Sequence, residues 1–159
     1  MDIWVFLICI AACAAAGTTG AAFPPGKWYL TLNRPSWTPP NWVFPVAWTS
    51  LYLAMSAAAA IVAPIEGSGL GMALWGLQIA LNTLWSPIFF GLRRFGAAII
   101  VVVVLWLAVG ATMLAFFQLS ALAGLLFVPY LLWCTIAAAL NIAMWRMNPG
   151  LVPINANQA

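Results

Sequence analysis

The sequence predicts an all-α membrane protein built as one bundle of five transmembrane helices. Of the 159 residues, 66% are hydrophobic and 4% are charged, whereas a soluble domain carries about 25% charged residues. The mean hydropathy of the chain is +1.07. Five apolar windows contain no charged residue, and each reaches the roughly 20 residues that a helix needs to cross a bilayer. These windows fill most of the chain, so we expect one domain over residues 1–159.

We expect the five spans at residues 3–22, 42–64, 70–90, 95–117 and 121–145. The links between the last four spans are only a few residues long, which makes consecutive helices antiparallel neighbours. No Lys or Arg precedes the first apolar stretch, so it is predicted to be a permanent span rather than a cleaved signal peptide.

The positive charges predict the orientation of the bundle. With five crossings, Lys27, Arg34, Arg93, Arg94 and Arg146 all fall on the same side of the membrane. Cytoplasmic loops carry an excess of Lys and Arg. We therefore expect the C-terminus in the cytoplasm and the N-terminus outside, in a bacterial cell membrane.

The inventory of reactive side chains excludes most catalytic chemistry. The chain has no histidine, and its carboxylates are Asp2 and Glu66, so imidazole catalysis and a paired acid and base are not available. Cys9, Cys13 and Cys134 lie in apolar surroundings, where cysteine packs as a small hydrophobe; a thiolate pair on one helix face is the alternative for the first two. We expect no metal and no obligatory cofactor. The positive charges form no basic stripe, which argues against a nucleic-acid partner.

The one long connection, residues 23–41, is rich in proline and aromatic residues. Proline restricts φ and favours extended and turn conformations, and a long loop in a compact protein is often a lid over a binding site. We expect this loop to act as a lid through Trp28, Trp37, Pro39 and Pro40. The alternative is an interfacial anchor whose aromatic rings lie at the lipid headgroups.

Two of the predicted helices carry a face that suits a binding cavity. At about 100° per residue, the polar and aromatic residues of the third span, including Gln78, share one side that should face the bundle. On the fifth span a small residue between two larger ones leaves a notch. Deep indoles and amides suit a cavity for a flat, mainly apolar ligand; simple helix packing, with amides that only link helices, is the alternative. The predicted wall consists of Trp48, Asn82, Trp85, Trp133, Ala137 and Asn141.

The opposite side of the third span carries small residues. Gly69, Ala73, Gly76 and Ala80 fall within about 60° of one another on a helix. Faces of this kind let two helices approach closely. We expect this face to contact another helix, either of the same chain or of a second subunit.

Four separated motifs make the chain similar to the translocator protein family, whose bacterial members are called tryptophan-rich sensory proteins and whose mitochondrial members are called peripheral benzodiazepine receptors. The motifs are WYLTLNRPSWTPP at 28–40, WVFPVAW at 42–48, LNTLWSPIFFG at 81–91, and PYLLW at 129–133 followed by Leu140 and Asn141. The resemblance covers essentially the whole chain in order.

The resemblance implies a five-helix membrane protein, often a homodimer, that binds porphyrins such as protoporphyrin IX, sterols and benzodiazepine-type drugs. It implies a role in porphyrin transport, sensing or stress regulation. Light-dependent porphyrin degradation is implied as a subsidiary activity that needs no acid–base residues. The implied ligand-binding residues are Trp48, Asn82, Trp85, Trp133 and Ala137, with Phe44 and Ala47 of the second motif, and the implied dimer face is Gly69, Ala73, Gly76 and Ala80.

One departure from the family pattern bears on the ligand. Animal members carry a sterol motif built on a leucine, a central tyrosine and a basic residue. Here Leu140 and Arg146 are present, but Ile142 stands in the position of the tyrosine. A tetrapyrrole is therefore favoured over cholesterol as the ligand. The alternative functions are a translocator of sterols or other lipophilic molecules and a structural partner subunit of a membrane complex.

Overall fold

A computed structural model describes residues 1–150, and all regular secondary structure in this part of the chain is helical, without a β-strand. The all-α prediction is therefore confirmed. A five-residue π-helix continues α4. The helices are α1 Ile3–Ala22, α2 Lys27–Leu30, α3 Val43–Val62, α4 Gly69–Ser86, the π-helix Pro87–Gly91, α5 Phe95–Leu119 and α6 Ala121–Met147.

Four of these helices, α1, α3, α5 and α6, are long and apolar enough to cross a membrane. The remaining long helix, α4, coincides with the third expected span, but Gln78, Asn82 and other polar residues lower its hydropathy. At several other helix ends, the observed bound differs from the expected one by one or two residues. Prolines explain two of the differences. α3 ends two residues before Pro64, and α4 changes into the π-helix at Pro87, since proline has no backbone N–H to donate to the carbonyl four residues earlier.

The five long helices form a ring in which each packs against two others. Contacts join α1 to α3, α3 to α6, α6 to α5, α5 to α4, and α4 back to α1. The interior of the ring contains a core whose large buried side chains include Met55, Phe116, Phe127 and Tyr130. Helices that are distant in sequence therefore meet around a common centre.

Side-chain caps begin two of the helices, α1 and α6, next to a neighbouring helix. The carboxylate of Asp2 accepts hydrogen bonds from the backbone N–H groups of Trp4 and Val5, and the backbone N–H of Asp2 donates to the carbonyl of Ala60 on α3 at 2.8 Å. Ser120 alone connects α5 to α6, and its side chain accepts a hydrogen bond from Ala123. Side-chain caps satisfy backbone donors that a helix leaves unpaired.

The charged residues separate to the two ends of the bundle. Lys27 and Arg34 lie in the connection from α1 to α3, and Arg93 and Arg94 lie in the turn from the π-helix to α5. These segments meet where the guanidinium of Arg93 stacks over the Trp28 ring at 5.1 Å. The loop also meets the end of α6, which carries Arg146, through hydrogen bonds between Asn33 and Asn148. The two carboxylates lie at the opposite end, at the start of α1 and in the link from α3 to α4.

Candidate ligand-binding site

A cavity of about 550 Å³ lies at the cationic end of the bundle. Its wall includes residues of all five long helices, the π-helix and the proline-rich loop. This volume falls within the roughly 300–1,000 Å³ typical of sites for small organic ligands. All six residues of the predicted wall line the cavity, and so does one residue of the second sequence motif. They are Trp48, Asn82, Trp85, Trp133, Ala137, Asn141 and Phe44.

An aromatic cluster from α3 and α6 forms one side of the cavity. The rings of Trp48 and Trp133 meet edge to face, with centroids 6.5 Å apart. Phe44 contacts Trp133 in the same manner at 5.7 Å, and Trp48 contacts Tyr130 at 6.1 Å. These edge-to-face contacts are the geometry that aromatic pairs prefer, so the rings hold one another in place and present an apolar wall.

A second aromatic cluster lies on the opposite side, where α4 continues into the π-helix. Trp85 stacks on Phe89 with centroids 4.9 Å apart and an angle of 14° between the ring planes, and Phe90 packs against both rings. The wider turn of the π-helix places both phenylalanines at the cavity, where both line the wall. Both phenylalanines belong to the motif at 81–91, but they were not among the predicted wall residues.

Asn82 joins three helices at the cavity wall. The Tyr52 hydroxyl donates to Asn82 Oδ1 at 3.2 Å, and Asn82 Nδ2 donates to the Tyr130 hydroxyl at 3.2 Å. Asn82 therefore lines the cavity and also links α3, α4 and α6. The sequence analysis gave these two roles, cavity wall and link between helices, as alternatives. Gln78, on the same side of α4, is fully buried with Nε2 3.7 Å from the Met55 sulfur, and it does not line the cavity.

Two polar groups of the wall have no hydrogen-bond partner among residues 1–150. They are the indole nitrogen of Trp85 and both amide atoms of Asn141. Buried polar groups of this kind are rare, because each loses its hydration without compensation. They give the largely apolar cavity wall a small number of unused donors and an acceptor.

The notch predicted on α6 is present in the wall. Ala137 lines the cavity one turn from Trp133 and one turn from Asn141. Leu140 also lines it, whereas Arg146 is exposed near the end of α6. The two remaining positions of the sterol motif therefore do not converge on the cavity.

Ala47 is the one expected binding residue of α3 that does not line the cavity. The lining residues of this helix are Phe44, Pro45, Trp48, Thr49 and Tyr52. On a helical projection at about 100° per residue, Ala47 lies roughly 130° from the centre of that face. Its assignment as a ligand-binding residue followed the motif rather than the helical phase, and it stays a prediction that the cavity lining does not support.

The proline-rich loop packs over the cavity through residues that only partly match the expected set. Pro39 lines the cavity, but Trp28, Trp37 and Pro40 do not. Trp28 packs on Phe95 at 5.8 Å, and Trp37 is 51% exposed. The loop residues of the wall are Pro25, Tyr29, Pro39 and Asn41.

Tyr29 and the small residues of α1 are wall residues that the sequence did not indicate. Tyr29 is buried in the short helix α2 and packs edge to face on Phe90 at 5.5 Å. On α1, Ala16, Gly17 and Gly20 leave space beside the cavity. In the sequence, Tyr29 lies beside aromatic residues that were expected at the membrane interface, and these α1 residues carry no polar group. No local pattern therefore marked either set as part of a cavity wall.

Two features concern the outer surface. The indole of Trp106 donates to the Thr135 hydroxyl at 2.9 Å, outside the cavity. The small face of α4 is exposed along its length, and a Cβ atom at Gly69 or Gly76 would meet no atom of the described chain within 4 Å. No helix among residues 1–150 packs there, so contact with a helix of a second subunit is the form of this expectation that stays a prediction.

The four apolar helices and the charge segregation define an integral multi-pass membrane protein, and its bundle contains a cavity with aromatic walls. Residues 8–146 match the model of the TspO/MBR family, to which this chain belongs. The chain is 56% identical to the tryptophan-rich sensory protein of Cereibacter sphaeroides, over 93% of this chain and 94% of that protein. It is 52% identical to protein CrtK of Rhodobacter capsulatus, over 97% and 99% respectively. The translocator protein of Homo sapiens is 39% identical, over 78% of this chain and 76% of that protein. The family resemblance read from the four motifs is thus confirmed.

Proposed function

We propose that this protein binds a tetrapyrrole of the protoporphyrin IX type in the cavity and acts in porphyrin transport, sensing or stress regulation. The single observation that carries the proposal is the cavity of about 550 Å³ between two aromatic clusters. A flat macrocycle with a large apolar surface gains most from such walls, because ring stacking adds to the burial of apolar area. The names of the relatives, a tryptophan-rich sensory protein and a translocator protein, agree with a sensory or translocating role.

The test is a titration with protoporphyrin IX in detergent, read by the shift of the porphyrin Soret absorption so that the signal does not depend on protein tryptophans. A Trp48→Ala plus Trp133→Ala variant should bind about tenfold or more weakly, because two stacking surfaces are lost. Trp106→Ala is the matched control, since Trp106 lies outside the cavity. Equal binding by the double variant and the wild type would refute the pocket assignment.

We propose that all five long helices span the membrane, with the cationic end in the cytoplasm. α4 lies in the same ring of contacts as the four apolar helices, and its polar residues Gln78 and Asn82 are buried inside the bundle, away from lipid. The five cations at one end follow the excess of Lys and Arg in cytoplasmic loops. Labelling of single cysteines by an impermeant reagent in intact bacterial cells tests both parts, with Glu66→Cys expected to react and Arg94→Cys expected not to, in a variant whose native cysteines are replaced.

We propose that the exposed small face of α4 joins two copies of the chain in a homodimer. Small residues let helix backbones approach closely in lipid, and this face is uncovered in the single chain. Ala73→Leu should weaken dimerisation measured by subunit-exchange fluorescence in bilayers. Leu77→Ala, which alters an exposed residue beside the face, is the control.

A second candidate function is the translocation of sterols or other lipophilic molecules. The largely apolar wall and Leu140 within it favour this reading, as does the name of the translocator protein relatives. Competition between a sterol and protoporphyrin IX for one site would support it.

A structural role in a larger membrane complex is the third candidate function. It would be favoured by stoichiometric co-purification of another membrane protein.

We also propose light-dependent porphyrin degradation as a subsidiary activity. The Trp48 and Trp133 rings lie together at the cavity, where electron-rich indoles would contact an excited porphyrin. Illumination with and without oxygen would test this. Unchanged product formation in the double tryptophan variant would show that the porphyrin reacts without these residues.

A further inference from the structure

A buried amide without a protein partner lies in the wall of the cavity. Asn141 is 1% exposed, and among residues 1–150 neither its Nδ2 nor its Oδ1 has a hydrogen-bond partner. The residues beside it in the α6 part of the wall, Ala137, Leu140 and Met144, are apolar. Nearly all buried polar side-chain atoms in proteins are hydrogen-bonded, so an exception calls for a reason.

The other asparagine of the wall shows what a structural amide looks like in this protein. Both amide atoms of Asn82 are engaged, one by Tyr52 and the other by Tyr130, and they link three helices. Asn141 makes no such link. The hydrogen-bonding capacity of Asn141 is therefore unused among residues 1–150, as is the indole N–H of Trp85, and both residues line the cavity.

We propose that Asn141 is the polar recognition residue of the cavity and selects ligands that carry a donor and an acceptor side by side, above all a protonated carboxyl group. The inference rests on the proposed function, since it takes a tetrapyrrole with carboxyl side chains as the ligand. A primary amide presents one donor and one acceptor in a plane, and a carboxylic acid presents the complementary pair. Burial in an apolar cavity penalises the charged form of a carboxyl group, which keeps the O–H that Asn141 Oδ1 requires.

A competing location for the acid group exists on the loop. A shallow polar hollow contains Asn33, Arg34 and Thr38, and it shares Pro39 and Asn41 with the cavity wall. There a carboxylate would be held in its charged form by the Arg34 guanidinium. Asn141 is favoured because its amide is buried and unpaired, whereas Arg34 is exposed and already stacks over the Tyr29 ring at 5.2 Å.

The experiment compares protoporphyrin IX with its dimethyl ester, which keeps the carbonyl acceptors but lacks the O–H donors. Soret titrations are run on wild type, Asn141→Leu, Arg34→Gln and Met144→Leu, the last being a cavity-wall control on the same helix. The wild type should prefer the free acid by about tenfold, as one well-placed hydrogen bond to a buried group provides. Asn141→Leu should bring the ratio to about one, while Met144→Leu and Arg34→Gln retain it. The ligand-free Asn141→Leu variant should melt at the same or a higher temperature, because an apolar group of similar shape replaces an unpaired amide.

Three results would overturn the inference and leave the proposed function in place. One is equal binding of acid and ester by the wild type. Another is loss of the preference in Arg34→Gln instead of Asn141→Leu, which would assign the acid group to the loop. The third is a large fall in the melting temperature of Asn141→Leu with equal weakening of both ligands, which would make the amide structural. If neither porphyrin binds the wild type, the proposed function fails, and this inference fails with it.

Discussion

Substitution of Ala137 by leucine tests the notch that the structure places between Trp133 and Asn141. Leucine adds three carbon atoms to a side chain that lines the cavity. A ligand that fills the notch must then shift or distort its neighbours, and overpacking of this size costs about 1–3 kcal/mol. The dissociation constant of protoporphyrin IX should therefore rise about 5- to 150-fold. The ligand-free variant should fold normally, since the added atoms occupy space that is open in the cavity.

The assay is the same Soret titration, together with the melting temperature of the ligand-free protein. Ala139→Leu is the matched control because Ala139 lies on the same helix and is exposed on the outer surface. Wild-type affinity in Ala137→Leu would refute the reasoning, since the notch would then not touch the ligand. Equal weakening in Ala139→Leu would also refute it, because the effect would not be local.

Three further predictions concern the loop and the helix ends. Asn148→Ala removes hydrogen bonds to both backbone groups of Asn33, worth about 0.5–1.5 kcal/mol each. The backbone amides of the loop should then exchange hydrogen faster, and the porphyrin should dissociate faster when measured by stopped-flow. Unchanged hydrogen exchange would contradict this prediction. Gly124→Ala places a Cβ against the Phe117 ring and should lower stability by about 1–3 kcal/mol, seen as a lower melting temperature. Asp2→Ala removes the cap of α1 and should destabilise the protein by about 0.5–2 kcal/mol without changing porphyrin affinity; weaker binding would show that the cap also positions the cavity.

The helices and much of the cavity could be predicted from local patterns. Apolar runs of sufficient length have few alternatives to a helix in lipid, because each backbone polar group must be satisfied within its own segment. Helical phase then placed Asn82 and Trp85 on the interior side of α4, and Trp133 and Ala137 on one side of α6, where the structure has them. These positions depend on a periodicity that holds within each helix.

The π-helix and the path of the loop could not be predicted in this way. The third span was expected to run unbroken over residues 70–90, whereas the wider turn that begins at Pro87 and brings Phe89 and Phe90 to the cavity depends on their packing against Trp85. Tyr29 became a wall residue because α2 folds back onto Phe90. Such contacts join segments far apart along the chain, and no local pattern encodes them.

The sequence by itself determined the membrane-spanning character, the helical class, the family and the segregation of charge, because these follow from composition, run length and motif order. Only the tertiary structure decided that both amide atoms of Asn82 are hydrogen-bonded, whereas those of Asn141 have no partner among residues 1–150. It also decided that Ala47 faces away from the cavity and that the small face of α4 has no partner within the described part of the chain. The physical reason is that hydrogen-bond satisfaction and burial depend on what neighbouring helices bring to a residue, and those neighbours are set by the closure of the whole ring.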